Sequence, residues 1–184
     1  MSTDDIILSS YKAGNKKGAL TGLIDSHGRS IYNIALFMLN DETAAEDVTH
    51  DVFLRIYKGL SHFKGKSTLS TWIYRITKNV CYDYLKRKKK WKNEGLEILD
   101  NKVTDLSNPD PEESYQTMWT QRTVRSAVQK LPESQRMAIT LSYFHSLKYE
   151  DIAVIMNVSL GTVKSNIFRG KKQLKQILEP ILGV

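Results

Sequence analysis

Apolar residues recur along most of this chain at three- and four-residue intervals, the period of one helix face, and strand-like alternation is scarce. Leu20, Leu23 and Ile24, then Ile31, Ile34, Ala35 and Met38, mark one or two amphipathic helices ending before Asn40. Thr43-Ala44-Ala45-Glu46 fits a capping box, in which Thr and Glu satisfy the orphan amides of a helix start. Val48, Val52, Ile56 and Leu60 follow, and Gly59 supplies a natural end. Ser67 or Ser70 is expected to cap the next helix, whose buried stripe includes Leu69, Ile73, Ile76 and Val80. Together these elements make a first helical domain over residues 5–92.

The period breaks over residues 93–117, a stretch that is acidic, holds Asn108-Pro109-Asp110-Pro111 and is poor in large apolar side chains. That is linker composition, with a fully extended reach of about 80 Å. Helical spacing returns at Met118 with Val124, Ala127, Val128 and Leu131. Pro132 suits the first turn of a further helix carrying Met137, Ile139, Leu141 and Phe144. The expected fold is all-α: two small helical domains, 5–92 and 118–182, joined by a flexible acidic linker. No internal repeat is visible.

Charge sharpens this division. The 184 residues carry a formal net charge of +7, unevenly placed. Arg75 to Lys92 is dense in Lys and Arg against the single acid Asp83, the linker reverses the sign, and Gly161 to Leu178 is basic with no acid. Two basic segments around an acidic spacer point to two separate polyanion contacts. Cys81 is the only cysteine, which excludes an intramolecular disulfide and a cysteine-based zinc site. The N-terminus lacks a signal-peptide layout, and no apolar run approaches a membrane span, so a cytoplasmic protein without membrane insertion is expected. No Gly-rich phosphate loop, paired metal-binding acids or nucleophile–base constellation appears, so no catalytic residue, metal or cofactor is expected and the chain reads as no enzyme.

Near the C-terminus, Tyr149 to Met156 reads as a short helix, Asn157-Val158-Ser159 as a tight turn, and Leu160 to Arg169 as the opening of a second helix. This is helix-turn-helix grammar. Ala153 lets the helices approach, and Ile152, Ile155, Val158, Val163 and Ile167 are expected to fill their shared core. The outer face of the second helix offers Thr162, Lys164, Ser165, Phe168 and Arg169 to base edges and phosphates, and Lys171, Lys172 and Lys175 continue the phosphate side. Phe168 is equally suited to packing inward.

A second constellation precedes it. Phe63-Lys64-Gly65-Lys66-Ser67 is a short loop that runs into a helix bearing Trp72, Tyr74, Arg75, Lys78 and Asn79 and ending in Lys86-Arg87-Lys88-Lys89-Lys90. Aromatics, a small polar loop and a cationic tail suit a nucleic-acid strand whose bases have been separated. The pattern F-x-G-x-S followed by S-T-W-x-Y-R-I-x-x-N resembles region 2 of bacterial sigma factors of the extracytoplasmic-function group. The pattern Y-x-x-I-A-x-x-x-x-x-S-x-G-T-V-K-S-x-x-x-R-G, about seventy positions downstream, resembles their region 4. The resemblance covers nearly the whole chain, and the chain has no room for the extra regions of larger sigma factors.

The resemblance implies a transcription initiation factor that binds core RNA polymerase and directs it to promoters. It implies docking on the β′ clamp through the helix containing Asp47, His50, Asp51, Leu54 and Arg55, with His50 standing where the family usually has glutamine. It implies capture of a flipped −10 base by the loop His62, Phe63, Lys64, Gly65, Lys66, Ser67 and Thr68 together with Asn79. Arg75, Lys78 and Arg87 then face phosphates of the opened duplex, while Trp72 faces either the fork or the core. Lys164, Ser165, Phe168 and Arg169 are placed in the major groove of duplex −35 DNA, with further contact to the β flap and control by an anti-sigma factor. The competing reading is a stand-alone helix-turn-helix regulator, which leaves the Phe63–Asn79 segment unexplained.

Overall fold

The computed structural model describes residues 2–94 and 113–182. All regular elements among the described residues are helical: α1 (Thr3–Lys12), α2 (Lys16–Leu39), α3 (Glu42–Gly59), α4 (Leu69–Asn93), α5 (Glu113–Gln129), α6 (Glu133–Ile139), α7 (Tyr149–Met156) and α8 (Leu160–Leu182). A single 3-10 turn, Leu60–His62, follows α3, and a π-helical turn, Thr140–Phe144, continues α6.

Local chemistry explains most boundaries, though not always through the residues expected. Asn40, in the left-handed conformation at φ 54°, ends α2. Only Asp41 remains before α3, so Asp41 is the cap: its carboxylate accepts from the Ala44 amide at 2.9 Å, and Thr43 lies inside the helix. Likewise neither Ser67 nor Ser70 caps α4. Thr68 does, its hydroxyl accepting from the Thr71 amide at 3.1 Å, an interaction whose loss costs about 1 kcal/mol. Pro132 stands at the cap position of α6, one residue ahead of the first turn. Helix α5 begins at Glu113 and not at Met118, because its first turn is polar and carries no apolar period to announce it. The rest of the expected linker, 95–112, lies outside the described residues.

The expected stripes are the core. Val48, Val52 and Ile56 of α3 are buried against Ile31, Ile34, Ala35 and Met38 of α2 and Leu69, Ile73 and Val80 of α4. In the second half Leu131, Met137, Ile139, Ile152, Ile155, Val163 and Ile167 do the same work. Gly170 permits the closest helix contact there, since a Cβ at that position would meet the Ile139 side chain at 2.8 Å. Val158 is an exception: expected in the helix-turn-helix core, it is 36% exposed. The left-handed Asn157 (φ 56°) turns the chain there, and the Val158 amide bonds back to the Ala153 carbonyl, which directs the side chain outward.

The two halves pack against each other. Helix α7 lies on α4, and the C-terminal end of α2 meets α5 and α6, so one continuous apolar cluster runs through both. Phe37 stacks on Phe144 with ring centroids 4.0 Å apart, and Tyr74 meets His145 at 5.9 Å. Burial pulls the His145 pKa below its usual value.

Candidate nucleic-acid interface

Helix α4 supplies the first candidate surface. Arg75, Asn79, Lys86 and Lys90 recur at helical spacing along one stripe, and all four are exposed. Lys78 is half-buried beside this stripe with its ammonium 5.7 Å from the Tyr82 ring centre. Burial, and then the neighbouring Arg75, lower its pKa. Arg87 is exposed, and Lys90 pairs loosely with Glu94 at 3.7 Å. Lys89 reaches across to the second half, where its ammonium lies 2.6 Å from the Glu133 carboxylate.

The loop ahead of α4 presents His62, Lys64, Gly65 and Lys66 to solvent, with Phe63 and Ser67 half-buried. Gly65 has φ +68°, a left-handed turn that disfavours any side chain. Trp72, left open between fork and core, lies largely inside. Its ring is 5.3 Å from that of Phe63 and rests against Gly59, so it braces the loop from beneath. The expected partners Asn79 and the loop are not brought into one enclosed site; the cavity beside the loop is lined from α1, the 3-10 turn and the loop itself.

Helix α8 supplies the second surface. Ser159 caps it by accepting from the Thr162 amide at 3.1 Å, and its hydroxyl is shared with that of Thr162 at 2.9 Å. Thr162, Lys164, Arg169 and Lys172 are exposed and Ser165 is half-buried. Phe168 is 70% exposed, so it faces outward. Lys171 lies over the exposed ring of Tyr143 at 5.7 Å, and the Tyr143 hydroxyl raises its pKa. Because α7 packs on both α4 and α8, and packed helix axes are about 8–10 Å apart, the two basic helices lie within about 20 Å of one another across α7.

A third surface is the outer face of α3. Asp47, His50, Leu54 and Arg55 are exposed and Asp51 is half-buried. Arg55 bridges Asp51 at 3.1 Å and Asp83 at 3.2 Å, an arrangement that fixes its guanidinium beside Leu54. Both carboxylates raise its pKa despite partial burial, which acts the other way.

Sequence reasoning missed one buried polar cluster near the loop. Asp4 of α1 accepts from the Ser70 amide at 3.2 Å and hydroxyl at 2.9 Å and pairs with His27 Nε2 at 3.0 Å. An acid and a histidine on otherwise apolar helix faces were the available signal.

Comparison with known proteins agrees with this layout. Residues 23–91 match the Sigma-70 region 2 family and residues 121–174 match Sigma-70 region 4. RNA polymerase sigma-H factor of Pseudomonas aeruginosa is 30% identical over 187 residues, covering 97% of this chain and 95% of that protein. The chain belongs to the extracytoplasmic-function group of sigma-70-like factors. The ECF sigma factor SigW of Bacillus subtilis is also 30% identical, over 90% of this chain and 94% of its own length. Two solved structures share the fold of this sigma factor. CnrH in complex with the cytosolic domain of CnrY has a TM-score of 0.72 at 19% identity, covering 98% of this chain and 99% of that one. Bartonella quintana RpoE in complex with the anti-sigma factor NepR has a TM-score of 0.70 at 21% identity, covering 85% and 94%.

As a sigma factor this chain directs RNA polymerase to promoters. The stand-alone regulator is not favoured, because a helix-turn-helix module leaves the match over 23–91 without purpose. No helix among the described residues is long and apolar enough to cross a membrane.

Proposed function

We propose that this sigma factor engages a promoter through two physically separate surfaces and core polymerase through a third. The α4 stripe and the loop His62–Thr68 hold the unpaired −10 strand, with Arg75, Lys78 and Arg87 on phosphates and Asn79 on a base edge. The exposed first turns of α8 enter the −35 major groove through Lys164, Ser165, Phe168 and Arg169. The α3 face around Leu54 and Arg55 docks on the β′ clamp, and apolar residues of the second half meet the β flap. The protein has no enzymatic activity of its own and works in the cytoplasm as a polymerase subunit. The complexes of its structural neighbours with NepR and CnrY support control by an anti-sigma factor.

The observation that carries this reading is the presence of exposed cations and a base-reading amide or guanidinium on two helices in different halves. Their packing also has a consequence. Axes within about 20 Å cannot serve two promoter elements more than one DNA turn apart, about 34 Å per turn. The halves therefore separate on the promoter, exchanging Lys89–Glu133 for Lys89–phosphate.

Abortive transcription from promoters varied at each −10 position tests the assignment. Asn79→Ala is expected to change the preferred base at one −10 position while core affinity and −35 preference persist. An unchanged base profile at normal core affinity removes Asn79 from the strand.

A further inference from the structure

Between the C-terminal half of α1 and the loop after α3 lies a cavity of about 280 Å³. Leu8, Tyr11 and Lys12 of α1 form one wall, and Phe63, Lys64 and Gly65 form the other. Neither wall is a loose terminus. Ile7 is buried under α1, and Asp4 ties that helix to Ser70 at the start of α4 and to His27 of α2. The opposite wall rests on Trp72 through Phe63. No atom lies within 4 Å of the position a Gly65 Cβ would take, so the cavity is open to solvent on the loop side.

The chemistry of this cavity selects its occupant. Its interior combines aliphatic and aromatic surface, and its two cations, Lys12 and Lys64, are exposed. A flat, uncharged ring flanked on both sides by negative groups complements that layout, and an unpaired nucleobase between its phosphates has this form. Helix α1 lies before the residues matched to region 2, so nothing in that match accounts for its contribution.

We infer that α1 forms one wall of a second capture site for an unpaired promoter base, in which Tyr11 stacks on the base and Lys12 and Lys64 hold the adjoining phosphates. This rests on the reading that the loop faces single-stranded DNA, and adds a binding position distinct from Asn79, which does not line the cavity. An extruded base costs a few kcal/mol of unstacking, which the enclosed aromatic wall offsets. One promoter position then depends on α1, an element outside the loop and α4.

The test is a coupling measurement on holoenzyme. Binding to −10 single-stranded oligonucleotides is measured with an abasic site placed at each position in turn, for wild type and Tyr11→Ala. On the intact strand Tyr11→Ala is expected to weaken binding about tenfold, the scale of one lost stacking contact. At a single abasic position that penalty is expected to vanish, while Tyr11→Phe behaves as wild type throughout. Lys12→Ala with Lys64→Ala should weaken all strands and reduce the salt dependence of binding. A Tyr11→Ala penalty that is the same at every abasic position, or no penalty on the intact strand, overturns the inference. Should Tyr11→Ala lower the thermal unfolding midpoint, Tyr11→Leu replaces it in the same cycle, and an equal penalty everywhere again overturns the site. If wild-type holoenzyme itself is indifferent to every abasic position, the reading of the loop as a single-strand surface fails, and the capture site with it. If base dependence is present but uncoupled to Tyr11, the capture site alone fails.

Discussion

The guanidinium of Arg136 donates to the backbone carbonyl of Met38 across 2.6 Å, joining the second half of the molecule to the last turn of α2. Met38 is among the final residues of that helix, whose carbonyls lack intrahelical partners. The same guanidinium donates to the carbonyls of Gln129 and Leu131, at 2.8 and 3.1 Å, and the Gln129 amide in turn caps Phe37. Burial lowers the Arg136 pKa, against the opposing effects of Glu133 and Tyr82. A cation at a helix C-terminus satisfies orphan carbonyls and complements the helix dipole.

Replacing Arg136 with Ala is expected to loosen the two halves without unfolding either. It strands carbonyls in a partly buried interface, at a cost of about 1–3 kcal/mol. Small-angle scattering of the free protein should show a larger radius of gyration, and thermal unfolding should lose cooperativity. A scattering profile identical to wild type would show that the apolar contact of Phe37 with Phe144 suffices.

Groove reading and folding are separable on α8. Lys164→Ala and Arg169→Ala are expected to weaken −35-dependent transcription by about 1–3 kcal/mol per lost base contact, by an amount that varies with the −35 sequence. Phe168→Ala should leave the unfolding free energy within about 0.5 kcal/mol, since the ring is solvent-exposed, while lowering promoter use. Uniform losses over all −35 variants would reduce Lys164 or Arg169 to a phosphate contact.

On α3, Leu54→Ala should also be nearly neutral for folding, because the side chain is 45% exposed. Its effect belongs in a core polymerase titration, where affinity is expected to fall, with no change in the −10 base profile. Normal core affinity for both Leu54→Ala and Arg55→Ala would move the docking face elsewhere.

Cys81 reports on α4. It is buried, and burial pushes its pKa up to about 12, so little thiolate exists at neutral pH. A thiol-specific reagent is expected to react with native protein only as fast as α4 opens, and at once in denaturant. Rapid labelling of the folded protein would contradict the packing of α4.

Much of the fold was written in short-range pattern. A helix face repeats within four residues, and a helix-turn-helix needs only one left-handed residue between two such faces, here Asn157. The exposed stripes of α4 and α8 follow from the same period, so their cations could be placed before any coordinates. Caps were less legible: Asp41, Thr43, Thr68 and Ser70 all have suitable oxygens, and backbone geometry alone chooses which one faces the free amides. The choice has consequences, since Ser70, released from capping, is free to bind Asp4.

What only the tertiary structure decided are the relations between residues distant in sequence. Phe37, Tyr74 and Phe144 obey the same helical period as the core of their own halves, and nothing local tells an internal contact from one between halves. Asp4, His27 and Ser70 belong to three helices, and Tyr11 reaches Phe63 only because those helices are clasped together. Period and composition are set by neighbours along the chain, and so can be read from it. Which apolar face meets which is set by the simultaneous burial of all of them, a property of the folded whole.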